Sequence, residues 1–174
     1  MSEPVVIVEY NPDWPDMFEA EKTRLHGAIG VWAAAIEHIG STAVPGLAAK
    51  PIIDIMVGLN QLADAAFCIE RMERLGYTYH PEKEDELPER RYFKRGPNTY
   101  HVHMVELGSA FWERHLLFRD YLRGHRNDAL AYEMLKRELA QMHPHDRERY
   151  TLGKTRLIQE IEAKARAWKD RMGS

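Results

Sequence analysis

Apolar positions along this chain follow two rhythms, and the change between them near residue 109 organises the rest of the reading. Trp14, Phe18, Leu25, Ile29 and Trp32 recur at helical spacing and predict an amphipathic helix over 14–32. Before it, residues 5–10 read as a short strand closed by the turn-forming Asn11-Pro12-Asp13. Residues 35–39 predict a strand ended by the Gly40-Ser41-Thr42 turn. The small-residue run AVPGLAAK, bracketed by Pro45 and Pro51, predicts a compact loop. Residues 51–59 (PIIDIMVGL) are β-branched and nearly all apolar, the pattern of a strand covered on both faces with one carboxylate set into it. Leu62, Ala65, Ile69, Met72 and Leu75 predict a helix that Gly76 stops. Residues 77–79, 91–95 and 100–107 predict three more strands, the last two joined as a hairpin through Gly96-Pro97-Asn98.

From Ser109 onward the pattern is helical throughout. Ser109 is placed to cap one helix, Asn127-Asp128 a second, and Asp146 a third, whose apolar stripe runs through Leu157, Ile161, Ala165 and Trp168. Strands first and helices last predict an α+β chain, a mixed sheet with helices and a C-terminal helical subdomain. The expected organisation is one domain over 1–174, with an α/β core over about 1–108 and helices over about 109–170.

Charge and composition narrow the function classes. The 174 residues carry a net charge of −3, but residues 1–60 hold 3 basic and 8 acidic residues while the remainder is close to balanced. A general polyanion binder is therefore excluded and no strong nucleic-acid signal remains, whereas a local basic patch for a phosphate is allowed. The single cysteine, Cys68, sits in an apolar helical stretch and reads as a small buried hydrophobe. No apolar run is long enough to span a membrane, and the N-terminus lacks the pattern of a signal peptide, so a cytoplasmic protein is expected.

The chemistry concentrates between His38 and Asp54. Gly40 lets the backbone approach a ligand closely, Ser41 and Thr42 add hydroxyls and free N–H groups, and Lys50 supplies a point charge suited to phosphate. Asp54 lies inside an apolar strand, where a carboxylate is costly unless hydrogen-bonded, paired or bound to a cation. The plainer alternative is that Ser41-Thr42 caps a helix and Asp54 accepts backbone hydrogen bonds. Alternation along 100–107 puts His101 and His103 on one face and Glu106 on the other, and gives His38 the parity of Gly40. Arg91 and Lys94 are candidates to face a phosphate, and Arg119, Arg123, Tyr150 and Lys154 to line a cleft between sheet and helices.

HIGSTAVPGLAAKPIIDI closely resembles the signature of the GrpB (UPF0157-like) family, a group placed in the nucleotidyltransferase superfamily. The likeness continues through HVHMVELGSAFW, LLFRDYLRGH and ERYTLGKTRLI and covers the chain from about Ile7 to Ala167. It implies a nucleotidyltransferase-like fold and transfer of a nucleotidyl group from a nucleoside triphosphate to a small acceptor. In that picture Gly40, Ser41 and Thr42 with Lys50, Arg91 and Lys94 hold phosphates, and Asp54, His101 and His103 carry the chemistry. Magnesium would bind Asp54, with Glu106 standing in for a later carboxylate; zinc is the other ion such histidines accept. The superfamily's second strand carboxylate falls here on Met56, which cannot ligate magnesium. Two alternatives follow: a non-catalytic binder of nucleotide or coenzyme-A-type ligands, as GrpB-like domains fused to dephospho-coenzyme-A kinases look auxiliary, and a metal-dependent phosphohydrolase.

Overall fold

A computed structural model describes residues 4–173. Helix α1 (Trp14–Ile29) leads into β1 (Ala33–Ile39), a single 3₁₀ turn over Ser41–Ala43, and β2 (Ile53–Leu59). Helix α2 (Ala65–Arg74), β3 (Tyr77–Tyr79), β4 (Arg90–Arg95) and β5 (Tyr100–Glu106) complete the sheet region. Helices α3 (Ala110–Gly124), α4 (Arg126–Met142) and α5 (Arg147–Met172) follow. The sheet order is β1-β2-β5-β4-β3, antiparallel except where β2 and β5 run parallel. The fold is thus the expected α+β arrangement, with a mixed sheet and helices at the C-terminal end.

β2 lies inside the sheet between β1 and β5, and its alternation sorts the interior. Ile53, Ile55, Val57 and Leu59 point with Val102, Met104 and Phe93 toward α1 and α2, where Trp14, Phe18, Leu25 and Met72 close the main core. Met56 points the opposite way, into a smaller cluster with Ile39, Val105, Phe111 and Trp112 of α3. The third cluster joins Val44 and Leu47 of the β1–β2 loop to Tyr121, Tyr132 and Ile161 of the three C-terminal helices. That loop is the seam between sheet and helices.

Two sequence expectations fail here. Residues 5–10 form no strand; Val8 makes one isolated bridge to Ala49, and Val5 N–H donates to Pro144. Asn127-Asp128 does not cap α4, which follows α3 after His125 alone. The Asp128 carboxylate instead accepts from the Tyr121 hydroxyl at 2.6 Å and from Lys164 at 3.1 Å. Ser109 and Asp146 do cap their helices, accepting from the N–H of Trp112 and of Arg149.

Candidate functional site

Cross-strand register sets Asp54 directly opposite His101, and Met56 opposite His103. On the next strand Tyr92 pairs with His103 and Lys94 with His101. Alternation therefore brings Asp54, His101, His103, Arg90, Tyr92 and Lys94 to one face of the sheet. The Nε2–H of His103 donates to Asp54 Oδ1 at 3.1 Å, because its Nδ1 accepts from the Arg90 guanidinium, which can only donate. A hydrogen bond of 2.8 Å joins His101 Nδ1 to the Tyr92 hydroxyl, and its Nδ1 lies 3.8 Å from Asp54.

Electrostatics follow from that geometry. Burial opposes ionisation of Asp54, but the hydrogen bond donated by His103 and, beyond it, the nearby Lys50 ammonium outweigh it and hold the carboxyl below its ordinary value. Burial lowers the His101 imidazole to about 4 despite the pull of Asp54, so it is neutral at pH 7. Gly40 is required at the edge of this group: its φ is 77°, and a Cβ there would lie 2.8 Å from Asp54 Oδ2.

Asp54 opens onto a cavity of about 430 Å³ walled by cations. The sheet side supplies Lys50, Arg90 and Lys94, the loop before β4 supplies Lys83, and the helices supply Lys136, Arg147 and Lys154. Against these seven cations stand two carboxylates, Asp54 and Glu86. Burial, followed by repulsion from Lys154, lowers Lys136 to about 7; burial and then Lys50 lower Lys154 to about 8. Lys50 and Lys94 are also pushed down, by burial first. Aromatic faces offset part of the cost: Lys50 and Lys154 lie 5.0 and 4.5 Å from the Tyr150 ring, and Lys136 lies 4.7 Å from that of Tyr132. His101 Nε2, Arg90 Nε and the Tyr150 hydroxyl are buried there without a hydrogen-bond partner.

The helices clamp the loop that carries Ser41 and Lys50. Glu133 accepts the Ala48 N–H at 2.7 Å while Lys136 donates to the Ala48 carbonyl at 2.9 Å. Arg123 donates to the carbonyl of Ala43, and Arg119 to that of His38 and to Glu37. Tyr132 hydrogen-bonds Ser41. Arg119 and Arg123 thus hold the loop, whereas Tyr150 and Lys154 line the cleft as the sequence suggests.

Of the residues singled out in sequence, Gly40, Ser41, Thr42, Lys50, Asp54, Lys94 and His101 line this cleft. His103 sits behind Asp54. Thr42 is committed to structure: its hydroxyl donates to the Ile52 carbonyl and therefore accepts from His38 Nε2–H. His38 lies on the opposite face of the sheet from Asp54, stacked 4.8 Å from Phe18 of α1, because cross-strand register pairs it with Ile55. Arg91 also faces away, toward Pro88 and Glu84; the face that Arg91 was expected to occupy carries Arg90, Tyr92 and Lys94. Glu106 pairs across from Leu59 at the far end of β5, exposed and away from Asp54. Sequence reasoning missed Arg90, Tyr92, Lys136 and Arg147. Lys136 left a signal, since it interrupts the buried stripe Ala129, Tyr132, Leu139 of α4.

These donors do not fit a two-metal magnesium centre. The second strand position is Met56, fully buried among apolar side chains, and Glu106 is remote. Asp54 Oδ1 already accepts from His103, and cations surround the carboxylate. Among the described residues no group of three or more His, Cys, Asp or Glu is arranged to hold a metal ion. Nor is any described helix long and apolar enough to cross a membrane.

A family model described as GrpB protein matches residues 4–164. UPF0157 protein YqkA of Bacillus subtilis is 45% identical over 95% of this chain, which spans 48% of YqkA, about half its length. The crystal structure of conserved protein GrpB from Enterococcus faecalis superposes with a TM-score of 0.85 at 39% identity, covering 94% of this chain and 99% of that one. A dephospho-CoA kinase of Mycolicibacterium paratuberculosis is 29% identical over 98% of this chain and 48% of its own length. The chain belongs to the GrpB family.

Proposed function

We propose that this GrpB-family chain binds a nucleotide by its phosphates in the cleft around Asp54. The observation that carries this reading is the charge imbalance: seven cations face two carboxylates, and buried lysines there are held below their ordinary basicity. Such a cluster is costly alone and is relieved by a polyanion. Lys50, Lys94, Lys136 and Lys154 would neutralise phosphate oxygens, and the orphaned Tyr150 hydroxyl and His101 Nε2 face the same volume. The relative named for dephospho-CoA, a pyrophosphate-bearing nucleotide, supports this ligand class.

Nucleotidyl transfer is the reaction we favour for the site, because Gly40, Ser41 and Asp54 keep the spacing of the superfamily pattern and Asp54 stays ionised beside the phosphate cleft. An acceptor oxygen would bond to the α-phosphorus while the bond from that phosphorus to the β-bridging oxygen breaks. Pyrophosphate would depart with the electron pair among the lysines, and the acceptor proton would pass by way of Asp54 to solvent. The hydrolase reading loses support because His38 lies on the other face and His103 is bonded on both nitrogens.

Calorimetric titration with ATP, CTP and coenzyme A, with and without magnesium, tests the binding. Metal-independent binding that weakens at least about tenfold in Lys154→Ala is expected, the scale of one charged hydrogen bond. Asp54→Asn should bind nucleotide as well as the parent or better, having lost an anion, and should lose any transfer. No binding at millimolar nucleotide, or binding indifferent to Lys154, would sink the proposal.

A further inference from the structure

Asp54 lies in a wall between two cavities. Beyond the cationic cleft, on the side of α3 and α5, a second cavity of about 250 Å³ shares Gly40, Ser41, Asp54 and Tyr132 with the first. Its own walls are Ile39, Phe118 and Ile158 with His103 and His115, and Arg114 and Glu162 complete the lining. The electrostatic character reverses across the wall: one guanidinium faces two carboxylates here. Arg114 and Glu162 are oppositely charged and line the same space, yet neither makes an ion pair with the other or with any described residue. Both also line a groove of about 450 Å³ that continues outward between α3 and α5, so the cavity has an approach from solvent.

Ligand chemistry follows from those groups. An unpaired guanidinium and an unpaired carboxylate at one mouth match a zwitterion, with a carboxylate for Arg114 and an ammonium for Glu162. Phe118, Tyr132 and Ile158 give an apolar and aromatic body to the space behind them. At the inner end Asp54 Oδ2 and His115 Nε2 are acceptors. The latter is fixed as an acceptor because His115 Nδ1–H donates to the Phe111 carbonyl at 2.9 Å. Acceptors at that depth select a hydroxyl.

We propose that this second cavity binds a free hydroxyl-bearing amino acid of tyrosine-like shape, its α-groups between Arg114 and Glu162 and its hydroxyl against Asp54. The assignment rests on the reading of the cationic cleft as a nucleotide site, and it supplies the second ligand that reading calls for. The two ligands would meet at Asp54, each on its own side of the Gly40–Ser41 backbone.

The test uses the whole chain, saturated with a non-hydrolysable ATP analogue and carrying labelled isoleucine methyls. L-tyrosine is titrated while the Ile39 and Ile158 signals are followed, with tyramine, 3-(4-hydroxyphenyl)propionate and L-phenylalanine as analogues lacking one group each. Expected are saturable shifts with tyrosine, at least about tenfold weaker binding for each analogue, and a similar loss in Glu162→Gln and Arg114→Gln with nucleotide affinity unchanged. Tyrosine causing no shift while the ATP analogue binds would overturn this assignment alone. Analogues or variants binding as well as their parents would do the same. Failure of the ATP analogue to bind would instead overturn the reading of the cationic cleft.

Discussion

The backbone of Gly40 approaches the carboxylate of Asp54 so closely that a Cβ on Gly40 would stand 2.8 Å from Oδ2. Its φ of 77° and ψ of −175° fall in a region essentially reserved for glycine. One residue thus ends β1, starts the turn carrying Ser41, and sets the distance between loop and carboxylate. Gly40→Ala should cost about 2 kcal/mol from the backbone alone, with a further contribution from displacing Asp54. A lowered unfolding temperature together with lost nucleotide binding is expected; a variant that keeps parental stability would contradict the geometry.

Proton uptake should accompany ligand binding. Lys136 is lowered to about 7 and Lys154 to about 8, because burial first, then repulsion from Lys154 on Lys136 and from Lys50 on Lys154, disfavour the charged forms. A polyanion reverses that preference, so binding between pH 7 and 9 draws protons onto them. Affinity for ATP should fall as pH rises through that window, and the measured enthalpy should vary with the buffer's ionisation enthalpy. In Lys136→Met the buffer dependence should shrink. A binding enthalpy identical in Mops and Tris would refute the coupling.

Mild acid should unfold the protein through its buried imidazoles. His38, His101 and His115 are each lowered to about 4, chiefly by burial, whereas an unfolded histidine titrates near 6.5. Between those values the unfolded chain binds protons that the folded chain refuses. The stability they leave intact above pH 6.5 is lost progressively as pH falls toward 4, at up to about 1.4 kcal/mol per pH unit for each histidine. Urea midpoints at pH 7, 6 and 5 check this, and His115→Asn should flatten the slope by roughly a third. A midpoint unchanged from pH 7 to 5 would be incompatible with three buried neutral imidazoles.

Glu21 is a buried hub on α1 and should be the most sensitive acidic residue outside the cleft. Only 2% exposed, it accepts from Arg95 at 2.6 Å, from Arg24 at 2.9 Å and from the Tyr77 hydroxyl at 2.9 Å, tying the helix to β3 and β4. Removing it strands a partly buried guanidinium and a buried phenol. Glu21→Ala should cost about 3–5 kcal/mol. Chemical denaturation measures the loss, and a cost under about 1 kcal/mol, the usual surface value, would mean the network contributes little.

Much of the fold could be read from residue order. The β-branched run of β2, the Gly76 stop after α2, the Gly96-Pro97-Asn98 hairpin and the caps Ser109 and Asp146 carry their structure locally. Residues 5–10 looked like a strand because apolar spacing cannot tell a paired segment from one that touches a loop at Val8 alone. Asp128 looked like a cap because its real partners, Tyr121 and Lys164, come from two other points of the helical region. The site divided the same way. Asp54, Gly40 and Lys50 stand out as residues locally out of place, whereas the choice of Arg91 over Arg90 fails because the β4–β5 register puts Arg90 on the cleft side.

Most of the elements, the family and the cost of Asp54 are legible in residue order, since periodicity, caps and an isolated carboxylate are properties of neighbouring residues. Which charges meet depends on the folded chain. It set Asp54 against His103 through the parallel pairing of β2 and β5, sent His38 to the far face, and folded α4 and α5 back so that Lys136, Arg147 and Lys154 crowd Lys50. The physical reason is that charge acts through space over several ångströms, while the pattern of a chain records only its neighbours along the backbone.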